Sequence, residues 1–240
     1  MTARTKNEVG RDEWIAFVGN AVGGLREAAA LLRTRKAEFE AKRDWFRPRT
    51  SGIPRENSVS RALADLFGLL RSEQAISGSG VQAVDLRHIS IECERPRPYD
   101  PGISDESKPT DLCLVLLKDN ELDLRIEAKT ILSDAEIRKH YLGDEGLRRF
   151  DDNANPYTVQ PFGGMVAYVV DSDAKTWMAK IGEKMTTAVG ASRLSTIKVG
   201  VDDHQVSRHR IKVKAGVKEI QRDVDVVHFA IEIDAKPPKR

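Results

Sequence analysis

Apolar residues in the first fifty positions recur with the period of a helix. Trp14, Val18, Ala21, Leu25, Ala28, Leu32 and Phe39 follow one another at spacings of four, three and finally seven, one stripe of an amphipathic helix. Pro48 marks its expected end. Gly23-Gly24 interrupts the stripe and weakens the helix by about 1 kcal/mol per glycine relative to alanine. The opposite side carries Arg33, Arg35, Lys36, Lys42 and Arg43, with Arg47 and Arg49 beyond. That side is either the solvated face of a core helix or a contact for a DNA backbone or a second copy. Residues 1–10 read as a loose tail.

A second stripe, Val59, Leu63, Leu66, Phe67 and Leu70, predicts a helix over Glu56–Arg71. Gly78-Ser79-Gly80 breaks the chain after it. Alternation then replaces the helical period. Ile89 and Ile91 predict a strand over His88–Cys93. Residues 94–109, ERPRPYDPGISDESKP, hold four prolines and no periodicity; a loop of that length in a compact domain is usually functional or mobile. Strands follow at Asp111–Leu117 and Leu122–Thr130, joined by the turn sequence Lys118-Asp119-Asn120-Glu121. Ser133 and Glu136 form a capping box that starts a crossover helix. GGMVAYVV, Gly163–Val170, is too apolar for a half-exposed strand and predicts a central one. Thr176–Met185 reads as a helix, and Ile211–Lys214 and Val224–Ile233 as closing strands. A meander followed by a helical crossover implies a mixed sheet with helices on its faces, an α/β (α+β mixed sheet) fold.

Length suits one core with an appended element: tail and amphipathic helix over 1–50, the main domain over 51–235 and a basic tail over 236–240. Lys and Arg number 39 against 37 Asp and Glu, a net charge of +2. Any nucleic-acid surface must therefore be a local patch. Cys93 and Cys113 cannot build a disulfide framework. No apolar run approaches about 20 residues, so no membrane span is expected, and MTARTKNEVGRDEW lacks the apolar core of a secretory signal. The expected location is the cytoplasm.

Candidate chemistry lies in PTDLCLVLLKDNELDLRIEAKT, residues 109–130. Alternation puts Leu122, Leu124, Ile126 and Ala128 on one face and Asp123, Arg125, Glu127 and Lys129 on the other. Asp111 and Cys113 share a face of the preceding strand, opposite Leu112, Leu114 and Leu116. If the leucine faces coincide, Asp111 falls across from Glu127 or from Lys129, about 5 Å away between Cβ atoms. Two carboxylates and an ammonium converge there. With a backbone carbonyl and water they suit Mg²⁺, a hard cation. The neighbouring lysine can orient or help deprotonate a water, and phosphodiester hydrolysis is the matching reaction.

Asp111, then Glu127-Ala128-Lys129 on the next strand of a hairpin, resembles the PD-(D/E)XK nuclease superfamily with its restriction-endonuclease-like fold. Pro109-Thr110-Asp111 matches the Pro-Asp element with one residue inserted. The family core is a helix, a three-strand meander, a crossover helix and a further strand, the order predicted for residues 56–170. The resemblance implies Asp111 and Glu127 as metal ligands with the Ala128 carbonyl, Lys129 as the catalytic lysine, and Glu56 as an auxiliary ligand or water orienter. It implies Mg²⁺, with Mn²⁺ as a substitute, DNA as partner, and a homodimer as one assembly. It further implies a restriction or phage-defence endonuclease. The alternatives are a repair or RNA-processing nuclease, or a non-catalytic nucleic-acid-binding or scaffold subunit that kept the fold. Gln160 is loosely similar to a downstream glutamine of some subfamilies.

The tripeptide alone carries no information. Acid-x-Lys occurs five times, at Glu40, Glu106, Glu127, Asp173 and Asp234. Only Glu127 combines a strand, a paired aspartate and a following helix. The competing reading is a sheet face bearing ordinary charge pairs. Elsewhere, Arg208, Arg210, Lys212 and Lys214 alternate on one side of VSRHRIKVK, a contact for phosphates or a solvated sheet face. His88, His140, His204, His209 and His228 show no metal-ligand spacing and are expected to be structural or solvated, and no Ser-His-Asp order is evident.

Overall fold

The computed structural model describes residues 9–42, 44–48, 52–77, 84–94, 109–117, 122–151, 156–170, 173–199, 202–215 and 218–233. The tails, the proline-rich loop, the Gly78–Gly80 break and the 118–121 turn thus lie mostly or wholly outside the described residues. Described are five α-helices: α1 (Arg11–Thr34), α2 (Lys36–Glu40), α3 (Glu56–Ser77), α4 (Asp134–Glu136) and α5 (Ala174–Val189). Seven strands accompany them: β1 (Ile89–Glu92), β2 (Leu112–Leu116), β3 (Asp123–Ile131), β4 (Phe162–Val169), β5 (Leu194–Val199), β6 (Asp202–Ala215) and β7 (Lys218–Glu232).

The strands form one mixed sheet in the order β1-β2-β3-β4-β7-β6-β5. β1, β2 and β3 are an antiparallel meander, and β4 returns parallel to β3. β4 is central and wholly buried, as its apolar run requires. Sheet alternation divides the core in two. Leu112, Leu124, Ile126, Val166 and Phe229 pack with the apolar stripes of α1 and α3. Met165, Ala167, Ile211 and Val226 pack under Ile137, Tyr141, Phe150 and the α5 residues Trp177, Ile181 and Met185.

Several expectations are corrected. The first helix does not run on to Pro48: it breaks at Arg35 (φ −103°, ψ 17°), and Phe39 reaches the core from α2. By length and composition alone α1 is also apolar enough to cross a membrane, a test that buried core helices pass as well. In the fold its apolar face packs on α3, β5 and β7. The crossover is not one regular helix. Ser133 caps α4, accepting from the Glu136 N–H, but Glu136 turns back to the Leu132 N–H at 2.6 Å. A π-helical turn, Ile137–Tyr141, and a 3₁₀ turn, Leu147–Asp151, complete the connection. The sequence pattern predicts no strand at β5, and β6 and β7 are far longer than the predicted closing strands.

Gly23 and Gly24 are places of close approach. A Cβ on Gly24 would stand 2.5 Å from Phe67 Cε2 and 2.6 Å from Leu86 Cδ2. In an open helix Gly→Ala gains about 1 kcal/mol. Here overpacking wins: Gly24→Ala is expected to lower the urea midpoint, with a net loss of about 1–3 kcal/mol.

Candidate active site

The site forms where β2 ends and β3 continues. β2 pairs β3 through Leu112↔Ile126 and Cys113↔Arg125. That register, extended by one residue, sets Asp111 opposite Glu127, one of the two partners the sequence left open. Past Ile126 the β3 edge facing β2 has no ladder partner among the described residues. Its N–H groups are taken by carboxylates instead. Asp111 Oδ2 accepts from the Ala128 N–H at 2.8 Å, and Glu56 Oε2 accepts from the Thr130 N–H at 2.7 Å. Glu56 opens α3, so the helix N-terminus delivers it to the β3 edge.

The Glu127 and Lys129 side chains stand on the sheet face opposite Ile126 and Ala128. Lys129 Nζ lies 2.6 Å from Glu127 Oε1 and 3.4 Å from Glu56 Oε1. The face is not an exposed surface with incidental charge pairs: Glu127 is 7% exposed, and Asp123 and Arg125 are 1% and 2%. Asp123 and Arg125 form their own ion pair at 3.1 Å, and Arg125 also donates to the Tyr157 carbonyl at 3.0 Å.

Three carboxylates therefore surround one ammonium. Burial, then the charge of Glu127, pushes the Asp111 carboxyl up to about 8. Burial also raises Glu127, against the pull of Lys129 and a hydrogen bond from Tyr157. Burial works against the Lys129 ammonium, but Glu127, Glu56 and Asp111 outweigh it, and its pKa rises. Among the described residues no three His, Cys, Asp or Glu groups already stand close enough together to hold an ion. Instead the Lys129 ammonium sits between Glu127 and Glu56 and supplies the local positive charge. The donor set still fits a hard divalent cation. Asp111 and Glu127 are oxygen donors with excess negative charge, and the Ala128 C=O leaves β3 on the same edge as its N–H.

The structure brings together Asp111, Glu127, Lys129 and Glu56. It does not bring the basic stretch of β6 to them. Arg208 pairs with Asp225 at 2.9 Å and Arg210 with Asp223 at 2.7 Å. Lys212 is exposed, and Lys214 occupies a register position opposite Glu219, its side chain outside the described residues. Of the helical basic residues, Arg35 pairs with Glu38 and Lys36 with Glu40.

Sequence reasoning missed Tyr157, which sits in an irregular segment without periodicity. It also missed a buried polar chain. Tyr141 Oη meets His228 Nδ1 at 3.1 Å, His228 Nε2 meets Ser207 Oγ at 2.8 Å, and Ser207 Oγ meets His209 Nε2 at 2.8 Å. His209 Nδ1 lies 3.0 Å from Asp151. Ser207, His209 and Asp151 thus have the contacts of a nucleophilic triad, yet Ser207 is 0% exposed and no substrate reaches it.

No protein-family model, curated protein or solved structure matches the chain.

The raised Asp111 pKa has a sign that can be measured. Its folded value, about 8, lies above the unfolded 3.8. Between those values the unfolded state has lost a proton that the folded state keeps, so stability falls as pH rises through that window. Asp111→Asn removes this penalty and retains an oxygen for the Ala128 N–H. Without divalent ions the variant is expected to exceed wild type at pH 8 by at least about 1 kcal/mol, the worth of one pKa unit. The gap should close towards pH 4. Urea titrations at the two pH values measure it; a gap that widens at low pH would contradict the assignment.

Proposed function

We propose that the chain is a Mg²⁺-dependent endonuclease with a restriction-endonuclease-like core, hydrolysing DNA phosphodiester bonds. The observation that carries this reading is the meeting of Asp111, Glu127, Lys129 and Glu56 at the β3 edge. The order α3, meander β1-β2-β3, crossover, parallel β4 supports it, because it matches the core that the Asp111 and Glu127-Ala128-Lys129 motif implies.

Asp111 and Glu127 would hold the cation with the Ala128 carbonyl. When bound, Mg²⁺ lowers the pKa of a water and clamps a phosphoryl oxygen. Asp111 enters this state ionised, giving up the proton that burial otherwise retains. Lys129 then turns its ammonium from Glu127 towards the attacking water or the phosphate and stabilises the charge that develops there. Glu56 orients the water from the α3 side while staying anchored to the Thr130 N–H. Tyr157 steadies the Glu127 carboxylate from the other side, as a hydrogen bond to a metal ligand does. A restriction or phage-defence role follows the resemblance.

A plasmid-nicking assay with and without Mg²⁺, run beside RNA and branched DNA, tests the proposal. Wild type is expected to nick plasmid only with the cation. Lys129→Ala should lower cleavage at least about 100-fold, the lower range for losing one group that stabilises developing charge. It should leave DNA binding in Ca²⁺ intact, because affinity is spread over many phosphate contacts. Asp111→Ala should also lose cleavage, with partial recovery at high Mg²⁺, and Glu56→Gln should slow cleavage while metal binding persists. Full nicking by Lys129→Ala would overturn the mechanism. Cleavage confined to RNA would overturn the substrate.

A further inference from the structure

Among the described residues, Glu94 alone has a positive φ without being glycine, at 50°. A side chain in that region crowds its own backbone, and glycine or asparagine ordinarily stands there. Such a conformation persists where surrounding contacts hold it, and it clusters at functional sites. Glu94 follows β1 and is held at three points. Its N–H donates to the Thr110 carbonyl at 3.2 Å. Its carboxylate accepts from Asn57 Nδ2 and, at 2.7 Å, from Arg61 Nη2.

These partners are neighbours of the candidate site. Asn57 follows Glu56 in the first turn of α3, and Thr110 precedes Asp111. Thr110 is itself buried, its hydroxyl donating to the Leu112 carbonyl at 3.1 Å. Glu56 and Asp111 thus reach the β3 edge from two different elements, and Glu94 is bonded beside both. A working site needs its groups placed to within about 0.5 Å. Apolar packing along Val59, Leu63 and Leu66 places α3 as a whole; directional bonds at its first turn refine the placement. Ser58 ties that turn to the Asp44 carbonyl at 2.8 Å, and Glu94 ties it to the meander. Stability does not account for the arrangement. The Arg61 and Glu94 side chains are 66% and 38% exposed, and ion pairs of that kind contribute little. A glycine would adopt the same φ without penalty. A glutamate standing there despite the strain points to a use for its carboxylate.

We infer that Glu94 is a positioning residue of the candidate site, a clamp that joins the first turn of α3 to the lead-in of Asp111. It holds the Glu56 and Asp111 carboxylates against the Thr130 and Ala128 amides and touches no reacting atom itself. The effect on cleavage rests on the nuclease proposal; the clamp does not.

The test is hydrogen exchange without divalent ions, read amide by amide by NMR, on wild type, Glu94→Gly, Glu94→Ala and Glu94→Gln. Glu94→Gly removes the carboxylate and the strain together, so it should melt no lower than Glu94→Ala, which loses the clamp and keeps the strain. In both variants the Thr130 and Ala128 amides should exchange at least about 10-fold faster than in wild type, a local opening. Leu124 and Ile126, inside the β2 ladder, should keep the wild-type rate. Glu94→Gln retains one side-chain oxygen as acceptor and should fall between. In plasmid nicking with Mg²⁺, Glu94→Gly should lose at least about 10-fold, since a displacement of about 1 Å can cost about 100-fold, and Glu94→Gln should recover part of the loss. Unchanged exchange at Thr130 and Ala128 in the glycine variant would overturn the clamp and leave an ordinary turn with an incidental surface pair. An equal rise at Leu124 and Ile126 would overturn it too, since that marks general loosening. Selective loosening with undiminished nicking would overturn the positioning role. Normal nicking by wild type with unchanged exchange removes only the clamp. Selective loosening in a protein whose wild type does not nick removes only the nuclease.

Discussion

Two backbone N–H groups on one strand edge organise the site. β2 begins only at Leu112, paired with Ile126, and β3 runs on past that pair to Ile131. The amides of Ala128 and Thr130 then need acceptors that a neighbouring strand no longer provides, and a buried amide left alone costs about 1–3 kcal/mol. Asp111 and Glu56 answer with carboxylates. The need for backbone pairing thus brings negative charge to a half-buried notch and fixes the start of α3 against the end of β3. Lys129 follows as a consequence, since carboxylates gathered there need a cation nearby.

That solution leaves the notch unbalanced. One ammonium answers three carboxylates, and a proton on Asp111 covers part of the difference near neutral pH. A fold built for stability alone has cheaper choices, because apolar replacements of buried ionic groups are often neutral or stabilising. Local violations of this kind, inside an otherwise consistent fold, are where function is expected. The imbalance is also of the kind that a divalent cation relieves: oxygen donors, excess negative charge, and an ammonium free to turn once another cation takes its place.

Strong alternation made the β2–β3 hairpin legible. Each leucine face had one partner face, so the register was restricted to two choices, and both placed Asp111 beside the acidic patch. The apolar run of β4 announced its central place for the same reason. Glu56 came only through a resemblance, since nothing in RENSVSRALADLF tells a helix-dipole glutamate from one that reaches a distant strand. β5 was illegible because most of LSTIKV is solvated, and only Val199 is buried. The start of β6, DDHQVSR, reads as a polar loop. It is a strand because Ser207, His209 and His228 satisfy one another in the interior, a tertiary effect with no local signature. In sequence Gly23 and Gly24 show only a local weakness; their role depends on Val84, Phe67 and Leu86, all distant in sequence.

Charge balance separates scaffold from candidate function across the molecule. Asp123 and Arg125 are buried and matched one to one, with the guanidinium also bound to the Tyr157 carbonyl. On β6 and β7, Asp225 serves Arg208 and Arg11, and Asp223 serves Arg210. The histidine chain is closed by neutral partners within and by Asp151 at its end, and burial holds His228 down to about 3, uncharged at neutral pH. These groups settle their charges internally and have little left for a ligand. The carboxylate notch on β3 does not: three carboxylates face the one ammonium of Lys129. That excess is of the sign a further cation relieves, and the oxygen donors around it suit a hard one.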